Sequence, residues 1–199
     1  MRKNQSTQRH PSKYAMKFPE IEKAVIEASP ISINDKNEFY EFYEYAFGEH
    51  GTHVPHSLVK EVVLGFSNLI NEIVDDFDLI VSPEPGGHSW GLLLGHLLQK
   101  DVIVLRNHAV GVNRSSKIVI NGYSKKQLNY TPVNPESKVI VVDDIISSGA
   151  TLQNIIENVS ASILGIYAIY SKGNRHREIM NRYNIPIHVL VEGLEFNKA

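Results

Sequence analysis

Residues 139–152 read VIVVDDIISSGATL: four β-branched apolar residues, two adjacent carboxylates, then small and hydroxylic residues leading into LQNII. The apolar run predicts a buried strand with the acids at its carboxyl end. Ser147, Ser148, Gly149, Ala150 and Thr151 make a loop slim enough for its backbone amides to wrap a phosphate. The hydroxyls add donors, and the dipole of the following helix favours the anion. Asp143 and Asp144 accept hydrogen bonds only, so they suit hydroxyl donors or a hydrated cation next to that phosphate. A sugar phosphate satisfies both halves. Two other readings share the pattern. One is the magnesium-binding strand of a P-loop ATPase, which needs GxxxxGK[ST] upstream, and none exists here. The other is an acidic strand end followed by an ordinary turn and helix cap.

The elements that must position these residues are legible around them. From Ser57, placed to cap, Leu58, Val59, Val62, Val63, Phe66, Leu69, Ile70, Ile73 and Val74 recur at three- and four-residue spacing, which predicts an amphipathic helix. Short apolar runs follow at DLIVS, VIVLR, KVIVVDD, LGIYAIYS and IPIHVLVE, with helical segments near 88–100, 150–160 and 174–184. That alternation predicts an α/β fold with a doubly wound parallel sheet, whose ligands sit beyond the carboxyl ends of the strands. Residues 107–137 break the pattern with strand-like KIVIN and QLNYT joined by polar, basic connections, which fits a β-excursion or lid. Residues 31–56 are rich in aromatics (Phe39, Tyr40, Phe42, Tyr43, Tyr45, Phe47) and end in a His-, Gly- and Pro-containing loop.

The chain has 199 residues with 42% hydrophobic content, enough for one well-packed domain and too few for two comfortable ones. With 20 Lys and Arg against 22 Asp and Glu, no overall charge draws it to nucleic acid or an anionic membrane, and neither is expected as a partner. Cysteine is absent, which excludes disulfides, thiolate zinc sites and cysteine nucleophiles and fits a reducing cytoplasm. No apolar run reaches membrane-spanning length. The first 17 residues hold five basic side chains and no acid but lack the apolar stretch of a secretory signal. They are expected to be a mobile tail, with a mitochondrial-type presequence as the alternative.

VIVVDDIISSGATL resembles the phosphoribosyl-diphosphate (PRPP) motif of type I phosphoribosyltransferases. The resemblance extends to LIVSPEPGGHSWGLLLG, similar to that family's pyrophosphate loop and helix, to VIVLR, to NGYSKKQLNY and to GTHVPHSLVKEVV. It covers roughly residues 50–192, closest to archaeal-type hypoxanthine/guanine and adenine enzymes. It implies one domain with a hood at 18–56, a core at 57–192 and a flexible β-lid. Asp143 and Asp144 would hold the ribose hydroxyls and Mg2+, and Ser147 to Thr151 the 5-phosphate. Pyrophosphate would lie against Ser82, Glu84, Pro85, Gly86 and Gly87, with Arg106 as counter-charge. The pair Gly86-Gly87 suits the strained non-proline cis peptide that such loops often hold. A homodimer is expected. Two departures stand out: Ser147 where 6-oxopurine enzymes usually carry an acid acting on the purine, and Asn107 where a basic residue often follows the strand arginine. Arg114, Lys117, Lys125 or Lys126 would compensate for the second, and the first favours adenine over hypoxanthine or guanine.

The implied activity is transfer of the phosphoribosyl group of PRPP to a purine base, with magnesium on the leaving oxygens and amides aimed at them. Water competes with the purine, so the basic 107–126 excursion, with Gly111 and Gly122 as hinges, is the natural lid. An aromatic from 39–47 either stacks on the base or packs the hood. His50, His53 and His56 lack both HExxH spacing and a supporting carboxylate, so a metal site there is not expected. His88 could touch ligand, Trp90 reads as a packing residue, and Lys172 is either a surface lysine or a donor to the purine's exocyclic oxygen. The competing function is a regulator that binds PRPP without catalysing transfer.

Overall fold

Each apolar run is short and hydrophobic throughout, so each buries both faces, and this requires helices on both sides of a parallel sheet. The computed structural model describes residues 17–35, 38–107, 116–121 and 125–193, except the side chains of 32–42 and 120–126. It begins with helix α1 (Pro19–Ile26) and an antiparallel hairpin, β1 (Ser29–Asp35) and β2 (Glu38–Glu44). Helix α2 (His56–Ile73) leads to β3 (Leu79–Pro83), α3 (Gly87–Leu98) and β4 (Asp101–Leu105). A second antiparallel pair, β5 (Ser116–Asn121) and β6 (Lys125–Tyr130), precedes β7 (Lys138–Ile146), α4 (Ala150–Asn158), β8 (Ser162–Ser171), α5 (Arg175–Tyr183) and β9 (Ile187–Glu192).

Five of the strands form one parallel sheet in the order β4-β3-β7-β8-β9. Chain direction along the sheet reverses between β3 and β7, so the loops leaving these neighbours diverge and open a crevice, the switch point of a doubly wound fold. Alternation along β7 separates two cores. Ile140 and Val142 face α1, α2 and α3 through Phe66, Ile70, Trp90 and Leu94, while Val139 and Val141 face α4 and α5 through Leu152, Ile155 and Ile179.

Helix α2 buries Leu58, Val62, Phe66 and Ile70 as its periodicity predicts. Its start differs from the expectation. Pro55 is the N-cap, and Ser57 lies inside the helix and donates to Glu20 at 2.9 Å. Glu61, one turn on, accepts from the Ile21 amide at 2.8 Å, so α2 satisfies an amide in the first turn of α1. These bonds and Pro19 at the first helical turn explain a helix that the sequence alone did not suggest.

The described strands of the β-excursion are packed. Ile118 and Leu128 are fully buried in the second core, and Arg106 pairs with Asn129 backbone to backbone at 2.8 Å in both directions. The expected hinges and bridging cations Gly111, Arg114 and Gly122, the side chains of Lys125 and Lys126, and the tail at 1–16 lie outside the described residues.

Candidate active site

The crevice is floored by the end of β7. Pairing between β3 and β7 stops at Val81–Val141, and Ser82 then replaces the ladder. Its hydroxyl, fully buried, lies 2.7 Å from both the Val142 and Gly87 carbonyls, with one hydrogen to share between them. Ser82 thus ties the loop after β3 onto β7 with its hydroxyl turned inward, away from the ligand side expected for it.

Two carboxylates meet this loop. Asp143 and Asp144 are nearly buried; the Asp144 amide donates to Asp143 Oδ1 at 2.9 Å, and the Ile145 amide to Asp144 Oδ1 at 2.8 Å. Gly86 and Gly87 sit on them: a Cβ at Gly86 would lie 1.8 Å from Asp144 Oδ2, and one at Gly87 2.8 Å from Asp143 Oδ1. Gly86 has φ −83° and ψ −44°, open to any residue, so glycine is needed there for room and not for strain. The cis peptide among the described residues is Glu84–Pro85, in place of the non-proline bond expected at the glycines. Burial pushes the Asp143 carboxyl well up, and the charge of Asp144 adds to this. Burial also raises Asp144.

On the other side of the acids the loop 147–149 enters α4. Ser147 and Ser148 are exposed, and Ser148 Oγ accepts from the Ala150 amide at 3.3 Å. Gly149 caps α4 with φ +76°, and a Cβ there would stand 2.3 Å from Ile179 Cδ1. Left-handed backbone and contact with α5 both demand glycine. Ala150 and Thr151 form the first turn, half-buried at the dipole's positive end.

Glu84, Arg106 and Asn107 form one cluster. Arg106 Nη1 is ion-paired with Glu84 Oε1, and the Asn107 amide donates to Glu84 Oε2 at 2.9 Å. Burial raises the Glu84 carboxyl, but the Asn107 amide and the Arg106 guanidinium outweigh it and hold its pKa below the ordinary carboxylate value. His88 Nδ1 lies 2.7 Å from the Pro85 carbonyl, bracing the loop from within. Lys125 begins β6, opposite Asn121.

The segment before α2 packs against α3 and β8. Trp90 packs as expected and donates Nε1–H to the Phe47 carbonyl at 2.9 Å. Tyr45 and Phe47 are buried and stacked at 5.4 Å, and Tyr45 also meets Tyr170 at 5.6 Å, so both rings belong to the core. The side chains of Phe39, Tyr40 and Phe42 lie outside the described residues. Lys172 is no ordinary surface lysine: it is half-buried, with its ammonium 5.3 Å from the Tyr45 ring and 5.6 Å from that of Tyr43. Burial lowers its pKa, and Asp144 pulls it back up. The turn that carries it is fixed by Ser171 Oγ, 2.8 Å from His176 Nδ1, whose Nε2 lies 3.4 Å from Glu192.

Sequence reasoning missed Glu49, whose charge acts on both Asp143 and Asp144; beside it, a Cβ at Gly48 would stand 3.3 Å from Ile145 Cδ1. Nothing in the sequence signals a contact across ninety-odd intervening residues. Among the described residues, no three His, Asp or Glu side chains gather as a metal cluster.

No family model matches the chain. A hypoxanthine/guanine phosphoribosyltransferase of Methanothrix soehngenii is 30% identical over 143 residues, 68% of this chain and 74% of the relative. An adenine phosphoribosyltransferase of Caldicellulosiruptor saccharolyticus is 27% identical over 126 residues, 59% of this chain and 72% of the relative. Among solved structures, adenine phosphoribosyltransferase of Trypanosoma brucei, crystallised with AMP, pyrophosphate and ribose-5-phosphate, superposes with TM-score 0.72 at 14% identity, covering 92% of this chain and 82% of that one. The chain belongs to the type I phosphoribosyltransferases, among the purine enzymes of that family.

Proposed function

We propose that the chain transfers the phosphoribosyl group of PRPP to a purine base, giving a nucleoside monophosphate and pyrophosphate. One observation carries this: Gly86 and Gly87 have no room for a side chain against Asp144 and Asp143, so the loop after β3, the acidic pair and the loop after β7 form one continuous site. On this reading residues 57–192 are the core and 18–56 the hood of one domain. Ser147, Ser148 and the amides at the start of α4 take the 5-phosphate. Asp143 and Asp144 accept the ribose hydroxyls. Backbone at Gly86 and Gly87, with Arg106, receives the pyrophosphate.

In the reaction the C1–oxygen bond to pyrophosphate breaks, and the electron pair leaves with the diphosphate. The C1–nitrogen bond forms, and the purine's ring proton passes to the departing diphosphate or to water. The protein's part is to place the base nitrogen against C1 and to keep water out. Two adjacent buried carboxylates burden each other with charge that a divalent cation would relieve, so Asp143 and Asp144 fit Mg2+ brought in with PRPP. That cation would offset the charge developing on the diphosphate.

For the base, the reading taken from Ser147 is adenine. Lys172 favours a second, a 6-oxopurine, because an ammonium offers only donors and an exocyclic oxygen accepts them. Initial rates of pyrophosphate release with adenine, hypoxanthine, guanine, xanthine and uracil test both. Release with purines and not with uracil is expected. PRPP binding without release on any base would leave the regulator in place of the enzyme.

A further inference from the structure

Arg106 Nη1 and the Asn107 amide are the two anion donors on the β4 side of the loop after β3, and both are bonded to Glu84, a residue of that loop. The Glu84 side chain is only 13% exposed, so the carboxylate is drawn into the protein, while Arg106 at 47% is open to solvent. The loop is pinned in the same place by the Glu84 amide, which donates to the Leu105 carbonyl at 2.8 Å. The Asn107 side-chain oxygen is buried with no hydrogen-bond partner, and turning that amide would exchange an orphaned acceptor for a third donor.

A carboxylate and a phosphate oxygen make equivalent demands on a guanidinium and a backbone amide. We infer that Glu84 is an internal stand-in for the diphosphate: its carboxylate holds Arg106 and the Asn107 amide in the positions that a pyrophosphate oxygen takes, and it must leave them when the diphosphate binds. Glu84 then contributes an opposing free energy to PRPP and pyrophosphate binding. The inference deepens the proposed function and rests on it. Its rival is a fixed strut, in which Glu84 stays on Arg106 and Arg106 meets the anion only through its remaining donors.

The two differ in sign. Calorimetric titration of the full chain with magnesium-free pyrophosphate is the test, comparing wild type, Glu84→Gln and Arg106→Gln. The stand-in predicts that Glu84→Gln tightens pyrophosphate binding about tenfold, since an amide releases the guanidinium and no longer repels the anion. It predicts that Arg106→Gln weakens binding by a similar factor. Unchanged or weaker binding in Glu84→Gln, with an unaltered melting temperature, overturns the stand-in and leaves the strut. Should Glu84→Gln fail to fold, the wild-type backbone amide signal of Asn107, which stays on Glu84 in the strut, decides: a large shift on pyrophosphate addition supports exchange of partners, and an unmoved signal overturns it. No pyrophosphate binding by the wild type at millimolar concentration would instead remove the proposed function itself.

Discussion

The loop after β7 and the loop after β3 flank the same two carboxylates, yet one is open and the other is occupied by the protein's own groups. In the first, Ser147 and Ser148 are exposed, Gly149 holds its left-handed turn, and the Ala150 amide makes a long 3.3 Å bond to Ser148 Oγ. In the second, the Ser82 hydroxyl is spent on backbone carbonyls, the Glu84 carboxylate is spent on Arg106 and Asn107, and Gly86 lies against Asp144. Both are short and glycine-containing. Both also follow a strand with neighbours on either side and lead into a helix, so what separates them is what each meets. The loop after β3 lies against Arg106 and Asn107 at the end of β4 and against the acids of β7, whereas the loop after β7 meets Ile179 of α5 at Gly149 and bonds locally from the Ala150 amide to Ser148 Oγ.

This contrast is broken hardest at Gly86. A Cβ 1.8 Å from the Asp144 carboxylate cannot be absorbed by rotating a far-off side-chain end, so Gly86→Ala should displace the acid pair or the loop. Transfer is expected to fall by more than ~100-fold, the scale of a misplacement near 1 Å, in steady-state assays at saturating substrates. Wild-type turnover in Gly86→Ala would show that the two loops separate readily and that their contact is incidental.

Asp143→Asn comes next and moves activity and stability in opposite directions. Its carboxyl pKa is raised by burial and then by Asp144, so the folded state keeps a proton that the unfolded chain releases near pH ~3.9. Stability therefore declines as pH rises from that value through the folded pKa, and above it the penalty is complete. Asp143→Asn is expected to lose transfer by about a hundredfold while melting above wild type at neutral pH. The gap should close as pH is lowered towards the unfolded value. A variant melting below wild type across the whole range would mean that the acid pair is stabilised by a partner that the site does not reveal.

At Gly149 the cost should appear as stability. Left-handed φ and the 2.3 Å approach to Ile179 both oppose a Cβ, and Gly149→Ala is expected to lose roughly 2–3 kcal/mol in denaturant melts. Measured together with Ile179→Val, the pair should be non-additive, because the shorter side chain relieves the steric part only. Additivity would assign the entire cost to the backbone.

The smallest effect is expected at Ser148, whose exposed hydroxyl accepts a long bond from the Ala150 amide. Ser148→Ala should change stability by less than about 0.5 kcal/mol yet, on the proposed function, raise the KM for PRPP by removing a hydroxyl donor from the 5-phosphate. An unchanged KM would reduce this loop's grip to its amides.

From sequence alone, the parallel strands were fixed by apolar runs too short for membrane spans and too continuous for a one-sided sheet, and the helices between them by period and length. The site on β7 was equally legible, since acids, small residues and a helix start are neighbours in the chain and their chemistry follows from their order. The reason for Gly86 was not legible, because the Asp144 carboxylate that excludes a side chain is 58 residues away. Nor could sequence place Glu49 beside the acids, Lys172 over Tyr43 and Tyr45, or Glu84 on Arg106. Those are meetings between segments that become neighbours only when the sheet assembles in the order β4-β3-β7-β8-β9. Local order sets which groups a segment offers; close packing across the switch point sets which of them remain free to meet a ligand.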